Sequence, residues 1–259
     1  MKIVTVVGAR PQIIKAAALG REVKKRTNVE EILVHTGQHF DDNMSKVFFD
    51  ELEINPPKYN LDIHSLTHGA MTGRMIEQIE KILLDEKPDW VLVYGDTNST
   101  LAGALAARKL QIKVAHVEAG LRSFNMTMPE VVNRILTDQI SDILFCPTLT
   151  AVTNLRNEGS ASKKAAVEMV GDVMFDVSLF FEKKLAAPLL REPYVLCTLH
   201  RQENVDSPAR LKEIVGDLNW ISQQVKVVLP IHPRTQKMME KMGVRFEFAT
   251  IAPASYLEM

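Results

Sequence analysis

Short apolar runs rich in β-branched residues alternate with longer amphipathic segments almost from the first residue, and that alternation limits the fold most sharply. The runs are Ile3–Val7, Glu31–Thr36, Trp90–Tyr94, Val114–Val117, Ile143–Cys146 and Val167–Val170. They are continuous rather than alternating in polarity, as strands covered on both faces require. Between them lie helical patterns at Pro11–Lys25, Met44–Leu52, His68–Glu86, Thr97–Leu110, Pro129–Ile140 and Leu149–Glu158. Pro11 and Pro129 suit a first helical turn, where a missing N–H costs nothing. Strand–helix alternation of this kind predicts an α/β fold: a doubly wound parallel sheet with right-handed crossovers.

A further helix, about Phe175–Lys184, closes this first region. The stretch 186–193 reads as a linker bounded by Pro188 and Pro193. The chain therefore divides into a Rossmann-like domain at 1–185 and a partial second Rossmann-like domain at 186–259. In the second, Tyr194–Leu199, Val225–Ile231 and Phe246–Ile251 are expected strands, and Pro208–Gln223 and Thr235–Met242 expected helices. Three strands are about half of a self-sufficient nucleotide-binding fold.

Charge narrows the partners. Thirty-one Lys+Arg against 32 Asp+Glu leave a net charge of -1, so no broad basic field exists to grip nucleic acid or anionic lipid, and an anionic ligand must be held locally. With 46% hydrophobic residues the composition is that of a packed globular protein rather than a disordered one. The apolar run Ile3–Val7 is too short for a signal peptide, and no run reaches transmembrane length. Cys146 and Cys197 sit in apolar strand-like runs and read as buried reduced thiols. The expectation is a cytoplasmic protein that contacts no membrane.

In an open α/β sheet, ligands bind beyond the carboxyl ends of the strands. After the first strand comes Gly8-Ala9-Arg10-Pro11-Gln12-Ile13-Ile14-Lys15. It is neither GxGxxG nor a P-loop, yet it sets Arg10 and Lys15 around a helix start, a plausible phosphate site. An ordinary βα turn with solvated cations is the plainer reading. His39 follows the second strand, as a ligand contact or merely a capping loop residue. His64 and His68 are spaced like zinc ligands, but the glutamate of an HExxH helix is missing, so no metal is expected.

The strongest signal lies in the next strands. Trp90–Tyr94 is followed by Gly95-Asp96-Thr97, and Val114–Val117, which contains His116, by Glu118-Ala119-Gly120-Leu121-Arg122. Met128-Pro129-Glu130 then opens a helix bearing Asn133 and Arg134. Asp96, Glu118 and Glu130 thus fall on the sheet edge that carries Arg10 and Lys15. Acids gathered beside an apolar wall acquire raised, separated pKa values, which general acid–base catalysis needs. Asp96 and Glu130 would also each serve as helix caps. In the second region, His200 and Arg201 follow one strand and His232 another, where His232 is a ligand contact or a brace for its turn.

The segments GARPQIIKA, HTGQHFDDNMSKVFF, YGDTNSTLAGALAA, HVEAGLRS, NRILTDQISDILFCPT, VGDVMFD, TLHRQENVD and LPIHPRT, in this order, resemble the non-hydrolysing UDP-N-acetylglucosamine 2-epimerases over the whole chain. The resemblance implies a GT-B-like architecture of two Rossmann-like domains, an isomerase, no cofactor and a homodimer. It also implies a UDP-sugar substrate epimerised at C2 by elimination and re-addition of UDP, in the service of polysaccharide or lipopolysaccharide assembly. By motif, Asp96, Glu118, Glu130 and His200 would be catalytic. Arg10, Lys15, Arg122, Arg134, Arg201 and His232 would bind substrate. GARPQ and the final residues look closer to the branch acting on UDP-2,3-diacetamido-glucuronic acid. Two positions depart from the family pattern: Val131 replaces a second glutamate, and Ala254 falls opposite a glutamine near the uridine. The family continues into a DSGG-type diphosphate segment beyond Met259, so the sequence reads as truncated and impaired. A GT-B glycosyltransferase and a non-catalytic UDP-sugar-binding protein are the alternatives.

Overall fold

The computed structural model describes residues 1–38, 49, 51–159, 164–183, 192–253 and 257. The expected helix Met44–Leu52, His39, most of the linker and Ala254 lie wholly or mainly outside them. The chain forms two compact units, Met1–Lys183 and Lys184–Met259.

The first unit is built on seven parallel strands: β1 (Lys2–Val7), β2 (Glu30–His35), β3 (Tyr59–Asn60), β4 (Trp90–Tyr94), β5 (Lys113–Val117), β6 (Ile143–Cys146) and β7 (Ala166–Met169). Their order is β3-β2-β1-β4-β5-β6-β7, every neighbouring pair parallel. The order reverses between β1 and β4, so the crevice at their carboxyl ends is where such a sheet takes a ligand. The two-residue β3 carries no period and was not foreseen from sequence. It forms because Val34 and His35 at the end of β2 pair with Tyr59 and Asn60.

Helix His68–Glu86 buries Met75, Ile79, Ile82 and Leu83, a stripe at helical spacing. Helix Asn98–Lys109 buries mostly Ala, Gly, Ser and Thr, which lets it pack close to β1 and β4 and beside helices His68–Glu86 and Pro129–Ile140. Gly8, directly after β1, has no room for a side chain: a Cβ there would stand 2.0 Å from Thr36 Oγ1 and 2.1 Å from Ser99 Oγ. No helix among the described residues is long and apolar enough to cross a membrane.

The second unit pairs β8 (Tyr194–Leu196) with β9 (Lys226–Val228) in parallel. Helix Pro208–Ser222 buries Leu211, Val215 and Leu218, and Leu199, Val205, Leu229 and Met239 complete the core. The expected strand Phe246–Ile251 is not formed; one parallel bridge joins Pro230 and Ile251. Asn219 explains this, because its side chain takes the Glu247 N–H at 2.8 Å and donates to the Arg245 carbonyl at 3.3 Å. Those backbone groups are thereby diverted from a ladder.

Candidate active site

The tips of β1, β4 and β5 bring four of the expected residues into one ion-paired cluster. Arg134, one turn into helix Pro129–Ile140, reaches Asp96 Oδ2 at 2.9 Å and Glu118 Oε1 at 2.8 Å. Glu118 is also paired with Lys15 of helix Arg10–Lys24. The cluster is recessed but reachable, with 28% of the Asp96 side chain exposed, 17% of Glu118 and 8% of Lys15. Burial pushes the Asp96 carboxyl above the usual range, outweighing the pull of Arg134, and Glu118, Lys15 and Glu130 act on it in turn. Beside Glu118 lies a cavity of about 230 Å³ walled by Leu19, Phe145, Pro147, Val170 and Val173.

Local sequence explains the placement. Gly95 turns the chain at φ +63°, a conformation glycine adopts freely. Thr97, not Asp96, caps helix Asn98–Lys109: its Oγ1 accepts the Thr100 N–H at 3.3 Å. The Asp96 carboxylate is thus released from capping, while Asn133 holds its carbonyl at 3.0 Å. Glu118 itself adopts φ +68°, a strained conformation for a non-glycine residue and one that concentrates at functional sites. Glu130 is exposed in the first turn of its helix, where the helix dipole favours an acid. Val131 beside it is buried, so an apolar residue suits the interior there.

The helix start after β1 is more occupied than the sequence implies. The Gly8 and Ala9 N–H groups donate to Gln12 Oε1 at 2.9 and 3.0 Å. Gln12 in turn donates to the Tyr94 carbonyl and Thr100 Oγ1. Those two amides are committed within the fold. Arg10 is half-buried, and burial lowers its guanidinium from the ordinary value while Glu51 opposes the shift; it stays cationic regardless.

Arg122 requires correction. Its side chain is 1% exposed and bridges Asp138 and Glu158, each at 2.7 Å; it braces the fold, for two carboxylates already fill its fork. His232 Nδ1 accepts the Arg234 N–H at 3.2 Å and caps helix Pro233–Met242. His200 and Arg201 are exposed in the segment after β8, which Thr235 Oγ1 ties down through the Leu199 carbonyl at 2.7 Å. His68 opens its helix and meets Asn98 at 3.1 Å, while His64 meets Ser65. Cys146 is buried and Cys197 half-buried, both free thiols, and burial pushes Cys146 up to about 11. Sequence reasoning missed Asp138 and Gln12. Asp138 had a readable signal, since Glu130, Arg134 and Asp138 follow one another at intervals of four on one helix face.

A family model described as UDP-N-acetylglucosamine 2-epimerase matches residues 21–259. The UDP-2,3-diacetamido-2,3-dideoxy-D-glucuronate 2-epimerase of Pseudomonas aeruginosa is 57% identical over 263 residues, covering 100% of this chain and 74% of that protein. The UDP-N-acetylglucosamine 2-epimerase of Methanocaldococcus jannaschii is 46% identical, over 100% of this chain and 75% of its own. A crystal structure of the M. jannaschii enzyme with UDP-GlcNAc and UDP matches all of this chain and 75% of that one, at a TM-score of 0.86 and 44% identity. The Neisseria meningitidis UDP-GlcNAc 2-epimerase bound to UDP-GlcNAc matches at a TM-score of 0.85 and 31% identity, over 100% and 74% of the two chains. The α/β, GT-B-like class expected from the sequence is the class of these neighbours. The chain belongs to the UDP-N-acetylglucosamine 2-epimerase family.

Proposed function

We propose that the protein interconverts the C2 epimers of a UDP-N-acetylamino sugar. The observation that carries this reading is the meeting of Asp96 and Glu118 on Arg134 at the switch point of the sheet, with the Asp96 carboxyl raised by burial. A carboxyl so placed exchanges protons more readily near neutral pH than a solvated one. In the proposed reaction a carboxylate of the group Asp96, Glu118 and Glu130 removes the C2 proton. The C–H electron pair becomes the C1=C2 bond as the C1–O bond breaks, and UDP leaves with the C1–O electron pair. For return, a UDP oxygen re-adds to C1 while C2 accepts a proton on the opposite face. The departing diphosphate gathers negative charge, which Arg10 and Lys15 are suited to stabilise.

The higher identity to the 2,3-diacetamido uronate enzyme, 57% against 46% for the M. jannaschii UDP-GlcNAc enzyme, favours the uronate as the preferred sugar. A cytoplasmic homodimer serving polysaccharide assembly completes the reading, its subunit count open to light scattering. Proton NMR of each UDP-sugar mixed with the protein tests the reaction. Epimer signals growing to equilibrium support it. Transfer of the sugar only when an acceptor is added makes the protein a glycosyltransferase, and calorimetric UDP binding without turnover makes it a binding protein.

A further inference from the structure

Beneath the Asp96–Glu118 pair lies a second set of charged side chains that the proposed reaction does not use. His116 is 0% exposed on β5. Its Nδ1 lies 2.7 Å from Asp138 Oδ1, and its Nε2 lies 2.7 Å from the Gly95 carbonyl. Both partners are acceptors, so each ring N–H donates. The other Asp138 oxygen accepts the Gly120 N–H at 3.1 Å and the Arg122 guanidinium at 2.7 Å. Burial by itself would raise the Asp138 carboxyl, but His116 and Arg122 hold it below the usual range.

The network touches the backbone of both turns that carry the carboxylates. Gly95 immediately precedes Asp96, and Gly120 follows Glu118 by two residues. Gly95 N–H donates in turn to the Val117 carbonyl at 2.9 Å, so the two turns are also joined to each other. A brace of this kind sets geometry without touching the reacting atoms.

We propose that His116, oriented by Asp138, is a positioning residue that fixes the Gly95–Asp96 peptide and so aims the Asp96 carboxylate. The proposal rests on reading Asp96 as part of the acid–base group. Loss of the brace displaces that carboxylate, and displacements of about 1 Å cost on the order of 100-fold in rate. Binding contacts made elsewhere are left intact.

The test is a comparison of kcat and KM in His116→Phe, His116→Gln and Val177→Ala, the last a core change in helix Val173–Glu182. His116→Phe is expected to lower kcat roughly 100-fold with KM within about threefold. His116→Gln, whose amide still reaches Gly95, recovers about tenfold of that loss. Val177→Ala keeps kcat at an equal or larger drop in Tm. A kcat that follows Tm across all three, or a rise in KM alone, overturns the proposal. Wild-type protein adds a check that needs no variant: nitrogen NMR must show hydrogen on His116 Nε2, and a bare Nε2 refutes the bracing bond. If wild-type protein interconverts no epimers, the functional reading fails, and the carbon-NMR titration of Asp96 still decides the brace. In His116→Phe, which cannot donate to Gly95, its midpoint should fall toward the ordinary carboxylate value as the carboxylate turns toward water, and an unmoved midpoint refutes the brace.

Discussion

Two chains of alternating charge run side by side through the first unit, and they differ chiefly in their access to water. Lys15, Glu118, Arg134 and Asp96 form the upper one, with side chains 8–28% exposed. His116, Asp138, Arg122 and Glu158 form the lower one, in which the first three are at most 1% exposed. Residue types are nearly the same in both. Exposure separates them: a recessed carboxylate that a substrate can reach is fit for proton transfer, whereas a fully enclosed one can only hold the structure.

The largest expected effect falls on the upper chain. Asp96→Asn should lower the rate of C2 proton exchange by about 10³-fold. Stability should move the other way. Burial raises the Asp96 carboxyl, so its ionisation in the folded state costs stability once pH exceeds the unfolded value. The variant should melt at or above the wild-type Tm at pH 7.5 and gain nothing at pH 3. A lower Tm at pH 7.5 would place Asp96 among the bracing residues.

Asp138→Ala should invert that pattern. It leaves the buried Arg122 guanidinium and the His116 ring N–H without their shared carboxylate, at a cost of about 3–5 kcal/mol, measured by urea unfolding. A loss under about 1 kcal/mol, the range of surface ion pairs, would erase the distinction between the two chains. Arg134→Lys sharpens it further. A lysine cannot reproduce the fork that spans Asp96 and Glu118, so kcat should fall about 10–100-fold while stability changes by under about 1 kcal/mol.

The smallest effect concerns an ion-pair hub away from both chains. Hydrogen bonds from Lys58 and Tyr59, then Lys2, hold the Glu86 carboxyl at about 2. Because this folded value lies below the unfolded one, its contribution is present above the unfolded value and lost as pH falls through about 2. Glu86→Gln should cost about 1 kcal/mol at pH 7 and only a small part of that at pH 2, as read from unfolding midpoints at the two pH values.

Much of the first unit was legible because its signals are local. Trp90–Tyr94, Ile143–Cys146, His68–Glu86 and Pro129–Ile140 occupy the spans their periodicity predicts. Other elements depend on partners that periodicity cannot show: β3 exists only against β2, and Phe246–Ile251 loses its strand to the side chain of Asn219. The site follows the same division. Strand-tip position points to Asp96 and Glu118, and the helix that follows β1 to Lys15. Arg122 has the same kind of address, yet its guanidinium points to Asp138 and Glu158, a choice made by tertiary packing. The pairing of His116 with Asp138 joins a strand to a helix 22 residues away, which no local pattern encodes.

The central claim is that the recessed carboxylates exchange the C2 proton of a UDP-N-acetylamino sugar. Mass spectrometry of the nucleotide sugar after turnover in heavy water tests it most directly. The account predicts one deuterium at C2 in the product epimer and, as the reaction reverses, in recovered substrate. Epimers that interconvert without taking up deuterium, or a sugar that is bound yet never exchanges, would contradict it.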